Sequence, residues 1–477
     1  VLLPILAPIA LAAVALAVPS NRWRPLVLVP GALLHVAGVA ALFLAPPPSR
    51  AGAWLALDAM GKVALLTTTV LFLAAAVYAQ GYLARRQDRD NRVFVGGLLF
   101  LLGAMTTMAL SHHLGLSWVA IEASTLATAP LIYFNHNARS LEAAWKYLLI
   151  CSLGVALALL GTFFLALSGA GPGGPHSLLV EDLVAAGPTL SRPWVRAAFV
   201  FLLVGYGTKM GLAPLHAWKP DAYGEAPGIV GALLAGGLTN FAFLSIARVF
   251  MVTRAAGDDV FARDALVGLG ILSIALAAVF VVGQRDFKRM LAYSSVEHMG
   301  ILALGLGLGG GAAAGAFFHT MTNGLTKGVL FLSAGNIHRA FGSKRTDEVR
   351  GAARRLPVSG PLFLAGFLAV TGSPPFAPFF SEFAILSGAF RGGHLVVGGL
   401  FLALLAVIFV GMAATVLAVV QGDPGDAPRV ERSGDSWLTA APPFVLLALV
   451  LVLGLFLPDG LRDLFGAAAA LVGGRWE

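Results

Sequence analysis

The sequence predicts an all-α polytopic membrane protein, and three observations carry that expectation. Of 477 residues, 58% are hydrophobic and only 12% are charged, against about 25% charged residues in soluble proteins. The mean hydropathy is +0.84. The apolar residues gather into about fourteen runs close to the ~20 residues that a helix needs to cross a bilayer. A water-soluble fold this apolar would have no polar surface to cover it, whereas helices in lipid satisfy their own backbone groups. A single transmembrane domain over residues 1–477 is expected, with no second soluble domain.

The runs centre near Leu11, Leu34, Leu71, Leu101, Ser124, Ala156, Val204, Gly237, Leu272, Ala303, Val329, Ala369, Ala406 and Leu447. The first, Val1 to Val18, lacks a basic flank and reads as a span rather than a cleaved signal peptide. The formal net charge of +8 sits in short loops between these runs, which argues for membrane orientation and against nucleic-acid binding. The odd-numbered connections hold Arg22, Arg24, Arg85, Arg86, Arg89, Arg92, Arg139, Lys219, Arg285, Lys288, Arg289, Arg339, Lys344, Arg345, Arg350, Arg354, Arg355, Arg429 and Arg432. The even ones are poorer, with Arg50, Arg192, Arg196, Arg254, Arg263 and Arg391. By the positive-inside rule the odd connections face the cytoplasm and both termini lie outside.

Two spans are interrupted. The seventh contains Gly211-Leu212-Ala213-Pro214; the twelfth contains Gly372-Ser373-Pro374-Pro375 and then Pro378. Broken helices in comparable places of two halves point to an ion path through inverted repeats; two proline kinks without function fit the same spacing.

A charge at mid-bilayer costs roughly 2.5 to 3.5 kcal/mol even on the lenient insertion scale, so each needs a reason. Glu122 lies about half-way through the fifth span, as a proton carrier or one side of an interhelical ion pair. Lys146, between Trp145 and Tyr147, reads either as an interfacial anchor or as the partner of Glu122. Lys209 directly precedes the first break. In the eleventh span His319, Asn323 and Lys327 are spaced i, i+4, i+8 and share one face, with Thr322 and Thr326 alongside; such a stripe turns away from lipid. The tenth span offers Ser294, Glu297 and His298, as a shuttle or a polar helix contact. Glu382 follows the second break, as an exit carboxylate or a cap. Glu122, Lys146, Lys209, Glu297, His298, His319, Lys327 and Glu382 therefore form a candidate proton path. Adjacent His112 and His113 are expected on different helix faces and not as a metal pair. Cys151 is the single cysteine, and an iron–sulfur cluster needs about four ligands. No Walker A sequence and no metal-ligand spacing occurs. No cofactor and no metal is expected in this chain, and any electrons travel elsewhere.

Phe287-Lys288-Arg289-Met290-Leu291-Ala292-Tyr293-Ser294-Ser295 with His298-Met299-Gly300 resembles the antiporter-like subunits of respiratory complex I, Mrp cation/proton antiporters and membrane-bound hydrogenases. The Glu of the fifth span and the Lys residues of the seventh and eleventh agree, so that the resemblance covers about residues 60 to 420. Within that family His216-Ala217-Trp218-Lys219-Pro220-Asp221-Ala222-Tyr223-Gly224-Glu225-Ala226-Pro227, Ser295-Val296-Glu297-His298 and Leu325-Thr326-Lys327-Gly328 look like the hydrogenase-4 component F branch of group 4 nickel–iron hydrogenase and formate hydrogenlyase membrane arms. The resemblance implies fourteen helices with two inverted five-helix repeats, about residues 93–250 and 263–420, flanked by further helices. It implies Glu122 and Lys209 as a first-half pair, Lys146 as the sixth-helix lysine, Lys327 as the connecting lysine and Glu382 as the distal terminal residue.

Three departures stand out. Complex I relatives usually have Leu-Pro-Asp-Ala-His where this chain has Lys219-Pro220-Asp221-Ala222-Tyr223. Many carry a Lys or His in the eighth helix, where Val230 to Ala247 here, Thr239 and Asn240 included, has no titratable group, so water is expected to bridge there. The chain also ends at Glu477 without the long lateral helix of the largest complex I subunit.

The resulting expectation is a proton-translocating subunit of a membrane redox complex, in the bacterial cytoplasmic (inner) membrane. Its expected partners are other membrane subunits and a peripheral arm resembling a nickel–iron hydrogenase with iron–sulfur subunits. An Mrp-type sodium/proton antiporter subunit and a non-conducting membrane scaffold are the alternatives.

Overall fold

The computed structural model describes residues 2–45, 53–170, 177–423 and 434–476; Arg50, Arg429 and Arg432 lie outside them. The chain is all-helical, and the described residues pair as strands only in isolated bridges. In order the helices are α1 (Leu3–Ala17), α2 (Leu28–Leu44), α3 (Ala59–Leu83), α4 (Arg92–Leu110), α5 (Leu114–Ile132), α6 (Ala138–Ser168), the short α7 (Val180–Ala185), α8 (Arg192–Met210), α9 (Trp218–Glu225) and α10 (Gly228–Leu233). Then come α11 (Thr239–Ala255), α12 (Asp259–Val281), α13 (Phe287–Leu308), α14 (Gly310–Phe341), the short α15 (Ala352–Arg355), α16 (Ser359–Val370), α17 (Ala377–Arg391), α18 (Leu395–Val420), α19 (Trp437–Leu455) and α20 (Asp459–Leu471).

Among the described residues ten helices are long and apolar enough to cross a membrane, and α1 and α16 are shorter apolar helices. The fourteen expected spans are thus not all distinguished by length and hydropathy. The reason is local: α8 and α14 carry polar side chains inward, and the seventh and twelfth spans are each divided in two. The seventh runs as α8 and α9, the twelfth as α16 and α17, with glycines in the left-handed region at Gly211 (φ 82°) and Gly372 (φ 66°). The eighth is α10 and α11 joined by a π-helical turn, Leu234–Leu238. Sequence reading did not anticipate α20, which packs Phe465, Ala468 and Ala469 inward.

Burial separates the helices by role. The most hydrophobic window of α10–α11 is entirely buried and that of α13 is 89% buried, whereas that of α18 is only 28% buried. The first two form the middle of the bundle; α18 presents leucine and valine outward, as lipid-facing surface requires.

The connections collect on two faces. On one, Arg24 bonds Asp90 and Asn91, Arg89 reaches the carbonyls of Phe134 and Asn135, Asn135 bonds the Glu225 carbonyl, and Lys344 pairs with Glu225 at 2.6 Å and Asp286 at 3.3 Å. These are the odd-numbered connections. On the other, His112 lies 3.6 Å from Asp58 and 3.3 Å from Glu181, and Arg196 pairs with Asp258 at 2.6 Å. His112 and His113 are not helical as expected: they lie in the connection between α4 and α5, where His113 caps α5 by accepting from the Leu116 N–H. Two lysines assigned to loops from sequence are buried. Lys288 donates to the carbonyls of Gly224 and Ala226 at 3.0 and 2.5 Å, closing the end of α9. Lys219 is fully buried in α9.

Arg248, 3% exposed, ties the second face together. It donates to the carbonyls of Met108, Ala109 and Ser111, which the end of α4 leaves open, and to Asp58, the cap of α3. Burial pushes the Asp58 carboxyl up, but Arg248, His112 and the Gly61 N–H together hold it below the usual carboxylate range. A group depressed in this way stabilises the fold above its unfolded pKa of ~4, and that contribution fades as the pH falls below it. Arg248→Ala takes from Asp58 its guanidinium partner and from three carbonyls this donor, and should cost about 3–5 kcal/mol. A clear fall in melting temperature in detergent is expected; an unchanged one would refute this role.

Candidate functional site: a row of buried titratable groups

The site begins where α5, α6 and α8 meet. Glu122 on α5 accepts from the Ser152 hydroxyl of α6 at 2.9 Å, and its other oxygen is buried without a hydrogen-bond partner. Lys209, in the last turn of α8, is fully buried. It donates to the hydroxyls of Thr125 and Tyr147, each at 2.7 Å. Thr125 lies one turn beyond Glu122 on the same helix, so the two expected partners are neighbours along α5 but not a direct ion pair.

The break after Lys209 is built from specific contacts. The Trp218 indole donates to the Thr208 carbonyl at 2.9 Å, and Ala213 N–H donates to the Ser273 hydroxyl at 3.0 Å. Groups freed by the interruption are thereby satisfied inside protein, as non-helical backbone at membrane depth requires. The Trp218 ring also packs edge-on against Tyr147, with centroids 5.1 Å apart. The next residue, Lys219, donates to the Ser295 carbonyl of α13 at 3.3 Å.

From there the row passes to α13, α14 and α17. Lys327 on α14 is fully buried and donates to the Ser294 hydroxyl at 2.7 Å. One turn beyond Ser294, His298 Nδ1 and His319 Nε2 share a 2.9 Å hydrogen bond. His319 Nδ1 bonds the Ser381 hydroxyl at 2.9 Å, and that hydroxyl lies 3.1 Å from Thr322. Glu382, the next residue on α17, places an oxygen 4.0 Å from His298 Nδ1, and Glu297 lies 4.0 Å from His298 Nε2. The stripe His319, Asn323, Lys327 thus points into the protein, as its spacing predicts.

Seven of the eight candidate residues line this row. Lys146 does not. Its side chain is 45% exposed and pairs with Glu142 at 2.6 Å and Asp221 at 2.9 Å, so of the two readings the sequence left open the partnership with Glu122 is not the one it adopts. The i,i+4 Glu142–Lys146 spacing was the local signal for this. Sequence reading missed Lys219 because Trp-Lys-Pro looks like the interfacial start of a helix. The breaks and glycines around it were the available hint that the segment folds inward.

None of Lys209, Lys219 and Lys327 has a carboxylate oxygen within 4.0 Å among the described residues; hydroxyls and carbonyls hold them instead. Buried polar atoms without hydrogen-bond partners recur along the same row: oxygens of Glu122, Glu297 and Glu382, His298 Nε2, and both side-chain polar atoms of Asn323. As to metals, His298, His319 and Glu382 each offer one ligand atom, all within 4.8 Å of one another. The two histidines use their facing nitrogens on each other.

Residues 111–409 match the family described as NADH:quinone oxidoreductase/Mrp antiporter, TM. The chain is similar to a hydrogenase-4 component F homolog of Methylacidiphilum infernorum, 33% identical over 92% of each chain. It is similar to NADH-quinone oxidoreductase subunit N of Desulforudis audaxviator, 33% identical over 86% of this chain and 81% of the relative. A chain of respiratory complex I from Thermus thermophilus shares the fold with a TM-score of 0.78 and 28% identity, over 98% of this chain and 99% of that one. By sequence match, coverage and fold, this chain belongs to the NADH:quinone oxidoreductase/Mrp antiporter transmembrane family and is an antiporter-like membrane subunit.

Proposed function

We propose that this chain carries protons through its interior as one subunit of a membrane redox complex of the group 4 nickel–iron hydrogenase type. The observation that carries the reading is the set of three fully buried lysines held by oxygen acceptors without a carboxylate in contact. An uncompensated buried charge is expensive. Lys288 shows that carbonyls alone can hold a lysine where it closes the end of α9, whereas the three lysines of the row stand among further titratable groups and unpartnered polar atoms. A lysine held by hydroxyls and carbonyls can exchange its proton when its surroundings move. Buried polar atoms ordinarily find a partner, and the unpartnered ones along this row suit bridging water. On this reading Glu122 and Lys209 serve one half, Lys327, His298, His319, Glu297 and Glu382 the other, and the two halves are inverted repeats. Lys146 is a surface ion pair outside the row.

The partners are other membrane subunits and a peripheral arm with nickel–iron and iron–sulfur centres, this chain contributing no redox centre. The resemblance to component F of hydrogenase-4 supports that choice. The antiporter alternative draws on the His298–His319–Glu382 group, whose ligand atoms are spaced for a cation. In the bacterial inner membrane the arginine-rich odd connections face the cytoplasm and both termini lie outside.

Isolated in mild detergent, the tagged chain should bring nickel, iron and soluble subunits with it. The complex reconstituted in vesicles should pump protons without sodium, and Glu122→Gln or Lys209→Ala should lower proton flux at least about tenfold. Full flux in both variants, or a metal-free set of membrane subunits with sodium-dependent flux, would refute the proposal. For orientation, an impermeant thiol reagent added to whole cells should label Thr189→Cys and not Asp88→Cys; the reverse pattern would invert the topology. Native Cys151 is buried and does not interfere.

A further inference from the structure

The row has a join in its middle. Lys209 closes the group on α5, α6 and α8, and Lys327 opens the group on α13, α14 and α17. The eighth span, α10–α11, lies at the centre of the bundle between them. From Val230 to Ala247 it contains no titratable side chain. Its π-helical turn also packs backbone to backbone on α14: a side chain at Gly236 would strike the Gly324 carbonyl, and one at Gly324 would strike the Gly236 carbonyl. That crossing leaves no room for a long side chain.

Lys219 stands in the join. Its neighbour Trp218 packs on Tyr147, the residue that holds Lys209. Its own Nζ reaches the Ser295 carbonyl, next to Ser294, the residue that holds Lys327. Its stem runs over Gly211, where any side chain would collide with it. The glycine that breaks the helix therefore also makes space for the lysine. An ammonium has three donors to satisfy. Lys288, the structural lysine nearby, spends two of them on carbonyls at 3.0 and 2.5 Å. Lys219 makes one hydrogen bond, at 3.3 Å, and has the ring of Tyr223 5.9 Å away.

We propose that Lys219 is the proton-carrying group that joins the two halves, supplied by the second part of the broken seventh span in place of a side chain on the eighth. This rests on the proton-path reading above. Relayed by bridging water, a proton leaving the Lys209 ammonium converts the Lys219 amine to ammonium and leaves Lys209 as an amine. Passed on by way of water and the Ser294 hydroxyl to the Lys327 amine, it returns Lys219 to its amine form. One N–H bond breaks and one forms in each transfer, and no electron moves.

The test uses the intact complex in vesicles, with assembly followed by co-purification. Lys219→Gln keeps an N–H donor for the Ser295 carbonyl but cannot carry the proton as an ammonium. Lys219→Arg keeps donor and charge but does not deprotonate in proteins. Lys327→Ala reports separately on the proton path itself. Assembly is expected to survive, with proton flux at least about tenfold lower in all three variants. Normal flux in the Gln or Arg variant while Lys327→Ala is inactive would overturn the proposal for Lys219 and leave the path standing. Normal flux in Lys327→Ala as well would overturn the path. Loss of assembly in both Lys219 variants would mark the residue as structural and also overturn the proposal.

Discussion

A lysine ammonium removed from water needs a counter-charge or a sufficient set of oxygen acceptors. In this protein Lys209 and Lys327 take the second course, each held at 2.7 Å by a hydroxyl on a neighbouring helix. That constraint organises much of the bundle. The hydroxyls of Thr125, Tyr147 and Ser294 must be placed before the lysines can be buried, which fixes how α5, α6, α8, α13 and α14 pack. The break between α8 and α9 follows from the same need, since it brings Trp218 and Lys219 inward from what would otherwise be a surface connection.

The second half applies the principle to neutral and acidic groups. His298 and His319 hydrogen-bond each other, Ser381 completes His319, and Glu297 and Glu382 stand on either side of His298 at 4.0 Å. Close groups of this kind titrate together, so a proton added at one changes its neighbours. The energy scale is suitable: moving one charge across 100 mV takes about 2.3 kcal/mol. A rearrangement of one buried pair can supply that amount without large backbone motion.

Much of this was legible in the sequence because its signals are local. Hydrophobic length marks spans, which the structure bears out for ten helices among the described residues, and the i, i+4, i+8 spacing of His319, Asn323 and Lys327 marks an inward stripe, with which it agrees. The two breaks were legible from glycine and proline. For Lys146 the sequence left two readings open, and for Lys219 it gave the wrong one, for opposite reasons. Lys146 sits in a regular helix, but its depth and its pairing with Asp221 depend on where α9 returns. Lys219 follows a break, where periodicity no longer says which way a side chain points, and only the tertiary path of α9 shows that it turns into the core. The family resemblance implied Glu122 and Lys209 as a pair without fixing their contact, and the hydroxyl of Thr125 decides which atom Lys209 meets.

The central claim is that buried lysines change protonation as the complex works. Nitrogen-15 solid-state NMR of the lysine-labelled complex in lipid tests it most directly, comparing the resting state with steady turnover and assigning Lys209, Lys219 and Lys327 by substitution. The account predicts that at least one of the three Nζ signals moves between its ammonium and amine positions under turnover. Three signals that remain ammonium in both states would contradict it.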